Sequence, residues 1–369
     1  MSGETPCFKI SYYDEFRCLQ GECPDSCCHG WSIPIDDEAL KLYGARKGLF
    51  GLKLKLSIHG RERKVFSPMA LRCPHLRADG LCELQKKRGE VFLPQVCRDY
   101  PRVVANYGPR AEYQLDLSCV HAASLFLRDP RGGFVPAEEE KLPELYGNNE
   151  DAAYFEKLLR SRGIIFSQVH SAGGDASLLD AALRDIAAKS RAFQDALIGG
   201  NEEADFGSGE EEGGAMRLFP LPIAELNEMM STCFYEDWLR YSAPFLFRLC
   251  RLYYRRFDKL GYEAGEKELM RLFGKHVAGK AEVTELFGDY FLSLVARRYL
   301  FSYEDYSPFR HVKEALLVTD LVLLFYLLWC EKYGPPISRT LAHVISVTEK
   351  RAFHNDFALK DLLASVKST

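Results

Sequence analysis

Apolar residues recur at helical spacing through much of the second half of the chain. Four segments carry this pattern most clearly: 245–260, 282–300, 312–331 and 338–352. Residues three and four positions apart share one face of a helix, so each segment predicts an amphipathic or buried helix. Residues 140–198 show the same period and are also predicted to be mostly helical. The expected fold class is therefore mainly α.

The first 125 residues lack this regular pattern. Asp36, followed by acidic residues, predicts the start of a helix, because an N-cap carboxylate accepts a hydrogen bond from a free backbone N–H. Alternation of apolar and polar residues is partial in 53–66 and clearer in 110–117, which predicts a few short strands that could pair. We expect an irregular N-terminal domain with little regular structure, followed by helices.

Composition suggests where the domains divide. The segment GGNEEADFGSGEEEGG is acidic and rich in glycine, so it offers little apolar surface to bury and is predicted to be a flexible linker or loop. The predicted organisation is a cysteine-rich domain at 1–125, a helical segment at 126–198, the linker at 199–215 and a helical C-terminal domain at 216–369.

Charge and hydropathy narrow the classes of function. The chain of 369 residues has a formal net charge of −4, which gives no general attraction to nucleic acid or to an anionic membrane. The N-terminus shows no secretory signal. The most apolar stretch, 315–330, is short for a membrane span and is interrupted by Thr319 and Asp320, so it predicts a buried helix. We expect a cytoplasmic protein with neither a nucleic-acid nor a membrane partner.

The cysteines are concentrated in the first third of the chain. Of twelve cysteines, eight lie between residues 18 and 119. In a reducing compartment such clustering indicates a metal site rather than disulfides, although buried free thiols are the structural alternative. The candidate metal ligands are Cys18, Cys23, Cys27, Cys28, Cys73, Cys82, Cys97 and Cys119.

The spacing of these cysteines leaves two metals open. Thiolates suit zinc or an iron–sulfur cluster, but neither the C-x2-C pairs typical of zinc sites nor the common ferredoxin spacings occur. Neighbouring side chains of an extended backbone point apart, so adjacent Cys27 and Cys28 predict either two centres or one ligand beside a packed cysteine. Nearby His29, His75 and His121 are further candidate ligands, although such histidines more often pack against their neighbours.

The cysteine motifs resemble those of the flagellin lysine N-methylase family, within a wider group that carries an iron- or zinc-chelating cysteine domain. The matching motifs are F-x-C-x4-C-x3-C-C-x-G-W-x-I-x-I-D at 16–36, C-P-x-L at 73–76, D-G-L-C at 79–82, C-R-D-Y-P-R at 97–102 and L-S-C at 117–119. They fall within the cysteine-rich domain. In the C-terminal half, the likeness is limited to general helical character and the short patch TEKRAFH at 348–354.

This resemblance implies an S-adenosylmethionine-dependent methyltransferase that modifies lysine side chains of flagellin or a similar surface protein. It also implies a [4Fe–4S] cluster held by these cysteines, with zinc as the alternative metal. Two other classes of function stay open. One is a non-catalytic iron- or zinc-binding module, such as a metal carrier or sensor, and the other is a helical interaction protein with a structural cluster.

The chain lacks common signatures of methyl-donor chemistry. No G-x-G-x-x-G follows a predicted strand, so a donor would need another kind of pocket, and the radical-enzyme spacing C-x3-C-x2-C is also missing. Direct attack by a neutral lysine amine needs a group that positions the amine. Candidates near the cysteines are Tyr100, Asp99, Glu112 and Asp116. Arg98 and Arg102 flank Cys97 and are candidates for contacting a cluster sulfur or the carboxylate of the donor.

Overall fold

The computed structural model describes residues 5–61, 64–66, 72–138, 142–145, 151–201, 203–207, 217–234, 239 and 243–354. Most of them are helical. The helices, labelled in chain order, are α1 (Asp37–Gly44), α2 (Gly48–Leu56), α3 (Glu83–Arg88), α4 (Gln95–Asp99), α5 (Val120–Phe126), α6 (Ala152–Ala172), α7 (Ala176–Ile198), α8 (Ile223–Cys233), α9 (Pro244–Phe257), α10 (Tyr262–His276), α11 (Ala281–Arg298), α12 (Ser302–Asp305), α13 (Pro308–Tyr333) and α14 (Ser338–Phe353). The strands are β1 (Cys7–Ile10), β2 (Ile33–Pro34), β3 (Val65–Phe66), β4 (Arg102–Asn106), β5 (Ala111–Leu115) and β6 (Phe134–Ala137).

Four strands form a mixed sheet in the order β4-β5-β1-β6. Strand β1 runs parallel to β5, with Cys7 opposite Ala111, and antiparallel to β6. The strand predicted within 110–117 is confirmed as β5, but its partners are β4 and β1. Strand β6 lies beyond residue 125 and completes the same sheet, while the predicted domain ranges stay predictions.

The prediction of strands across 53–66 is mostly wrong. The segment begins inside α2, and only Val65 and Phe66 form a strand, which pairs with β2. Leucine and lysine favour a helix, and the stretch from Gly48 to Leu56 contains no β-branched residue. Local helix propensity therefore outweighed the partial alternation of apolar and polar residues.

The predicted C-terminal helices are confirmed as α9, α11, α13 and α14. Helix α13 lies at the centre and contacts α7, α9, α10, α11 and α14. Within it, the buried Asp320 carboxyl accepts a hydrogen bond from the backbone N–H of Leu221 at 3.0 Å. Burial raises the pKa of Asp320 well above its usual value. In the described part of the chain, no helix combines the length and apolar character needed to span a membrane.

The beginning of the predicted linker is packed against the helices. Phe206 is buried, and its ring lies 6.3 Å from that of Phe193 in α7. The Lys157 Nζ of α6 donates a hydrogen bond to the carbonyl of Ala204 at 2.8 Å. Residues 203–207 are therefore a loop, as one of the two predicted alternatives has it, but a packed one, because Ala204 and Phe206 bury apolar surface. Residues 208–215 lie outside the described residues.

Two principal hydrophobic cores organise the chain. The main core joins the sheet and the helices from α5 onward. A separate cluster, here called the small core, is built from the loops and short elements that carry many of the cysteines. Its buried members are Trp31, Ile33, Ile35, Ala39, Tyr43, Leu54, Phe66, Cys73, Leu84, Phe92 and Leu93. Cys28, Cys82 and Cys97 pack against its edge.

Candidate metal centre

Loop geometry brings distant cysteines together. The backbone N–H of Cys73 donates to the carbonyl of Cys28 at 2.8 Å, which joins the two cysteine loops. A tight turn leads back from Cys73 to Cys82, where Leu76 and Cys82 form an isolated β-bridge. Gly80 occupies this turn with φ +74°, and a Cβ there would approach the Gly21 backbone to 3.4 Å. Glycine thus permits both the turn and the close approach of the first loop.

A four-thiol group lies along the small core and consists of Cys28, Cys73, Cys82 and Cys97. A hydrogen bond from Cys27 lowers the pKa of Cys28, but its hydrogen bond with Cys73 and its burial raise that pKa to about 12. Burial raises the pKa of Cys97, and the nearby Cys28 thiol raises it further. Burial likewise raises the pKa of Cys82. Without a metal, Cys28, Cys82 and Cys97 therefore favour the neutral thiol at physiological pH.

A three-thiol group, Cys23, Cys27 and Cys119, lies on the other side of the first loop. Burial raises the pKa of Cys119 to about 12, with smaller contributions from Cys23 and Cys27. The hydrogen bond with Cys28 is the largest cause of the raised pKa of Cys27, and it links the two groups. Cys18 is exposed, and its sulfur accepts a hydrogen bond from the backbone of Gln20 at 3.4 Å.

The backbone at Cys27 and Cys28 is not extended, contrary to what the prediction from the sequence assumed. The backbone turns at this point, and the N–H of His29 donates to the carbonyl of Ser26 at 3.2 Å. The turn brings the adjacent thiols into hydrogen-bonding contact. Across the residues that the structure describes, no set of three or more His, Cys, Asp or Glu side chains is arranged to hold a metal ion. The ligand set and the number of centres stay predictions.

Helix α14, the last described helix, lies beside the three-thiol group. Lys350 of α14 is buried and forms an ion pair with Asp25, which lies between Cys23 and Cys27 in the sequence. Its Nζ also donates to the carbonyl of Ser26 at 3.2 Å. Burial lowers the pKa of Lys350, but the Asp25 carboxylate outweighs that effect and holds the pKa above its usual value. A fixed positive charge therefore lies beside these thiols.

His354, the residue after α14, makes a second contact between this end of the chain and the segment before Cys119. Its Nε2 lies 3.0 Å from an Asp116 carboxylate oxygen and 3.0 Å from the Ser118 hydroxyl. The Ser118 hydroxyl lies 3.0 Å from that of Tyr100, and the Trp31 ring packs edge-on against His354 at 4.9 Å. Burial raises the pKa of Asp116, but the charge of His354 outweighs it and holds that pKa well below its usual range.

The four residues proposed to position an amine lie in different surroundings. Asp116 and Tyr100 belong to the His354 contact beside the cysteines. Glu112 is instead buried in an ion pair with Arg162 at 2.6 Å. Asp99 accepts hydrogen bonds from the Gln95 amide at 2.7 and 2.8 Å on the surface. The structure therefore places Asp116 and Tyr100 closest to the role predicted from the sequence, which stays a prediction.

The two arginines that flank Cys97 bind protein groups. Arg98 is a surface residue that donates to the side-chain oxygen of Gln95. Arg102 donates to the carbonyl of Phe16 at 3.2 Å, and its guanidinium carbon lies 5.0 Å from the centre of the Phe16 ring. Their predicted contact with a cluster or a methyl donor stays a prediction.

The three histidines near the cysteines make ordinary packing contacts. His75 is buried against Phe66, its Nε2 lies 3.0 Å from the Ser57 hydroxyl, and burial lowers its pKa to about 4. The His121 ring lies 5.7 Å from that of Phe16. Burial lowers the pKa of His29. All three therefore favour the neutral form.

Lys350 and His354 did not emerge from the sequence as site residues. Both lie in the patch TEKRAFH, which was noted only for its resemblance. A lysine and a histidine in the last turns of a helix carry no local signal of a partner in a distant loop. The patch itself was the one clue that α14 contributes to the cysteine site.

The fold and the site together define a mainly helical protein whose N-terminal loops gather thiols against a C-terminal helix. The chain is 32% identical over 130 residues to the flagellar biosynthetic protein FliU of Salmonella muenchen, a match that covers 32% of this chain and 76% of that protein. It is also 32% identical over 129 residues to the lysine-N-methylases of Salmonella typhimurium strain LT2 and Salmonella choleraesuis strain SC-B67. The chain belongs to the flagellin lysine N-methylase family.

The match to the two lysine-N-methylases covers 32% of this chain and 32% of each of them. No model of a protein family matches the chain. No solved structure matches it either.

Proposed function

We propose that this protein is a lysine N-methyltransferase that acts on flagellin or a similar surface protein, with S-adenosylmethionine as methyl donor and a cysteine-ligated [4Fe–4S] cluster. The observation that carries the proposal is the similarity to FliU and to proteins named lysine-N-methylase. The grouping of soft thiol donors in the N-terminal loops supports the metal part.

The four-thiol group fits the donor chemistry of such a cluster. Cys28, Cys73, Cys82 and Cys97 converge from three separate segments along the edge of the small core. They are the residues that would hold the cluster, which when bound supplies a soft iron centre. Since Cys28, Cys82 and Cys97 favour the neutral thiol in its absence, binding would release their protons. Zinc would use the same ligands.

The charged residues of α14 and its partners hold the loops in place. Lys350 fixes the first loop through Asp25 and the Ser26 carbonyl, and His354 fixes Asp116 and Ser118 just before Cys119. These contacts orient the three-thiol group. They also couple the loops to the main core, where a protein substrate has a large helical surface on which to dock.

The reaction itself is a direct displacement. The lone pair of a neutral lysine amine forms an N–C bond with the sulfonium methyl group, while the S–C bond breaks and its electron pair stays on sulfur. The methylated ammonium then loses a proton. The protein must desolvate the amine, favour its neutral form and align it with the methyl group.

The test begins with protein purified without oxygen. We expect a brown protein that absorbs near 400 nm and holds about four irons. With S-adenosylmethionine and flagellin it should add mass in steps of about 14 Da on lysine residues. A double Cys28→Ser, Cys73→Ser variant should lose colour and iron.

Cys250 and Cys330 provide matched controls, because both are buried in helices α9 and α13, outside the cysteine loops. Their serine variants should keep the iron content. A colourless protein with stoichiometric zinc would show that the site binds zinc and not an iron–sulfur cluster. A metal-loaded protein that never methylates flagellin would instead favour the carrier or sensor.

A further inference from the structure

A cavity of about 220 Å³ lies between the sheet and helices α6 and α11, outside the cysteine loops. Its walls are mostly apolar and include Phe126, Phe134, Phe166 and Leu292. Ala296 of α11 contributes a small side chain to the lining. The loop at 129–133 borders the cavity, held by a 2.6 Å hydrogen bond from the Ser11 hydroxyl to Asp129.

One group of polar side chains in the lining is partly open to solvent. Asp289 is buried, and its carboxylate lies 3.4 Å from the Arg131 guanidinium and 3.5 Å from His170. Arg131 and His170 are themselves 55% and 44% exposed, so this group marks the rim. Burial raises the pKa of Asp289. A carboxylate at an entrance attracts a cation from solution.

A second polar group in the lining is buried and marks the inner end. Arg297 makes two hydrogen bonds to the Glu349 carboxylate, at 2.8 and 2.6 Å. The Tyr290 hydroxyl donates to the same carboxylate at 3.0 Å. These bonds fix the guanidinium in place. Glu349 immediately precedes Lys350, so α14 binds a residue of the cavity lining with one side chain and Asp25 of the first cysteine loop with the next.

Tyr12 supplies a further polar atom to the lining. Its side chain is 4% exposed and lines the cavity. Burial raises the pKa of Tyr12, so the hydroxyl keeps its proton. A hydroxyl in the lining of a cavity can donate a hydrogen bond to a ligand there and can also accept one.

We propose that this cavity binds the side chain of the lysine to be methylated, with its carbon chain between the aromatic walls and its amine at the Tyr12 hydroxyl. The proposal rests on the proposed function. The apolar walls strip water from the amine. This desolvation favours the neutral amine that a direct displacement requires.

The size of the cavity favours a lysine side chain over the methyl donor as its occupant. Pockets for drug-sized ligands usually measure about 300–1,000 Å³. At about 220 Å³ this cavity is below that range but has room for four methylenes and an amine. The geometry therefore favours the acceptor, and the donor becomes an outcome of the test.

The decisive variant is Ala296→Leu, which fills the cavity with an apolar side chain. We expect kcat/KM for flagellin to fall about 100-fold, since misplacing a reacting group costs about that much, while the Kd for S-adenosylmethionine stays unchanged. Ala264→Leu, on the exposed face of α10, is the matched control and should behave like the wild type. Unchanged melting temperatures would show that both variants are folded.

A binding measurement separates this inference from the proposed function. n-Butylamine reproduces the lysine side chain, and saturation-transfer NMR should detect its binding to the wild type but not to Ala296→Leu. It should compete with flagellin and not with S-adenosylmethionine. Tyr12→Phe should lower kcat more than it raises the KM for flagellin.

Three results would decide against the cavity as the acceptor site. They are wild-type kcat/KM in Ala296→Leu, loss of S-adenosylmethionine binding in that variant, and n-butylamine binding that the variant retains. A wild type that binds n-butylamine in the cavity but never methylates flagellin would refute the proposed function alone.

Discussion

The two cores of this protein are built in opposite ways. The main core surrounds α13, a helix of 26 residues whose central turns are almost entirely buried. The small core is assembled from helices of five to nine residues, two-residue strands and loops. Such short helices are unstable alone and gain stability only from tertiary contacts. The difference indicates that the small core needs cross-links, and its edge is where the four thiols lie.

Loss of the metal ligands should therefore have the largest effect on stability. That effect should be confined to the small core. In the Cys28→Ser, Cys73→Ser variant we expect the opening free energy of the small core to fall by about 5 kcal/mol or more, since metal ligation alone can drive folding of small domains. Amide hydrogen exchange should speed up in α1 and α3 but stay slow in α13.

Cys330→Ser is the control for this experiment, since it alters a buried thiol in the main core. It should leave exchange in α1 and α3 unchanged. Equal protection of the small core from hydrogen exchange in the metal-free and metal-loaded proteins would contradict the inference that this core needs cross-links. The short elements would then be stable without cross-links.

A buried ion pair within the main core, between α11 and α14, gives the next largest effect on stability. In Glu349→Gln, the largely buried Arg297 guanidinium loses its ionic partner. Removing one member of a buried pair costs about 3–5 kcal/mol, because the other charge stays desolvated. Urea unfolding should show a loss of that size in the transition of the main core.

Glu268→Gln removes an ion pair on the surface, for comparison with the buried pair. Glu268 pairs with Arg271, whose side chain is 43% exposed, and such pairs contribute little. The variant should lose less than about 1 kcal/mol. Similar losses in both variants would show that burial does not make the Arg297 pair more important for stability than the surface pair.

The sequence predicted the main core far better than the small one. Helices such as α13 and α14 follow from the spacing of apolar residues, which is local information. In α2 the same local reasoning failed, because leucine and lysine alternate there while their propensity is helical. Turn residues showed only that the cysteine loops were irregular.

The composition of the site could be predicted, but its arrangement could not. The cysteines were identified from their number and compartment, whereas the contacts of Asp25 with Lys350 and of Asp116 with His354 join residues 325 and 238 positions apart. The cavity combines Tyr12 with Arg297 and Asp289 in the same non-local way. No periodic pattern encodes such contacts, since tertiary packing alone brings these residues together.

The smallest expected effect is a pH dependence of the free energy of unfolding, and it should be confined to the helical region. His311, in the first turn of α13, lies with Nε2 2.9 Å from Asp305 and Nδ1 3.3 Å from Glu314. Burial lowers the pKa of His311, but hydrogen bonds to these carboxylates outweigh it and raise that pKa above 6.5. Arg298 and Arg310 face the same carboxylates.

The sign of the effect follows from the raised pKa. A histidine with a higher pKa in the folded state contributes its full stabilisation below the unfolded pKa and loses it as the pH rises through the folded one. Burial raises the pKa of Glu314, but the His311 hydrogen bond and the Arg298 charge lower it to about 2. This carboxylate therefore stays charged from about pH 6 to 9 and adds no slope of its own there.

His311→Gln should consequently destabilise the protein by about 1 kcal/mol at a pH near 6 and by less at a pH near 9. Urea unfolding of both proteins across this range measures the difference, and hydrogen exchange locates it. The change should appear in α13 and leave the small core unaffected, because the His311 contacts lie entirely among helices of the main core. A difference that widens toward high pH would mean that His311 is neutral in the folded state.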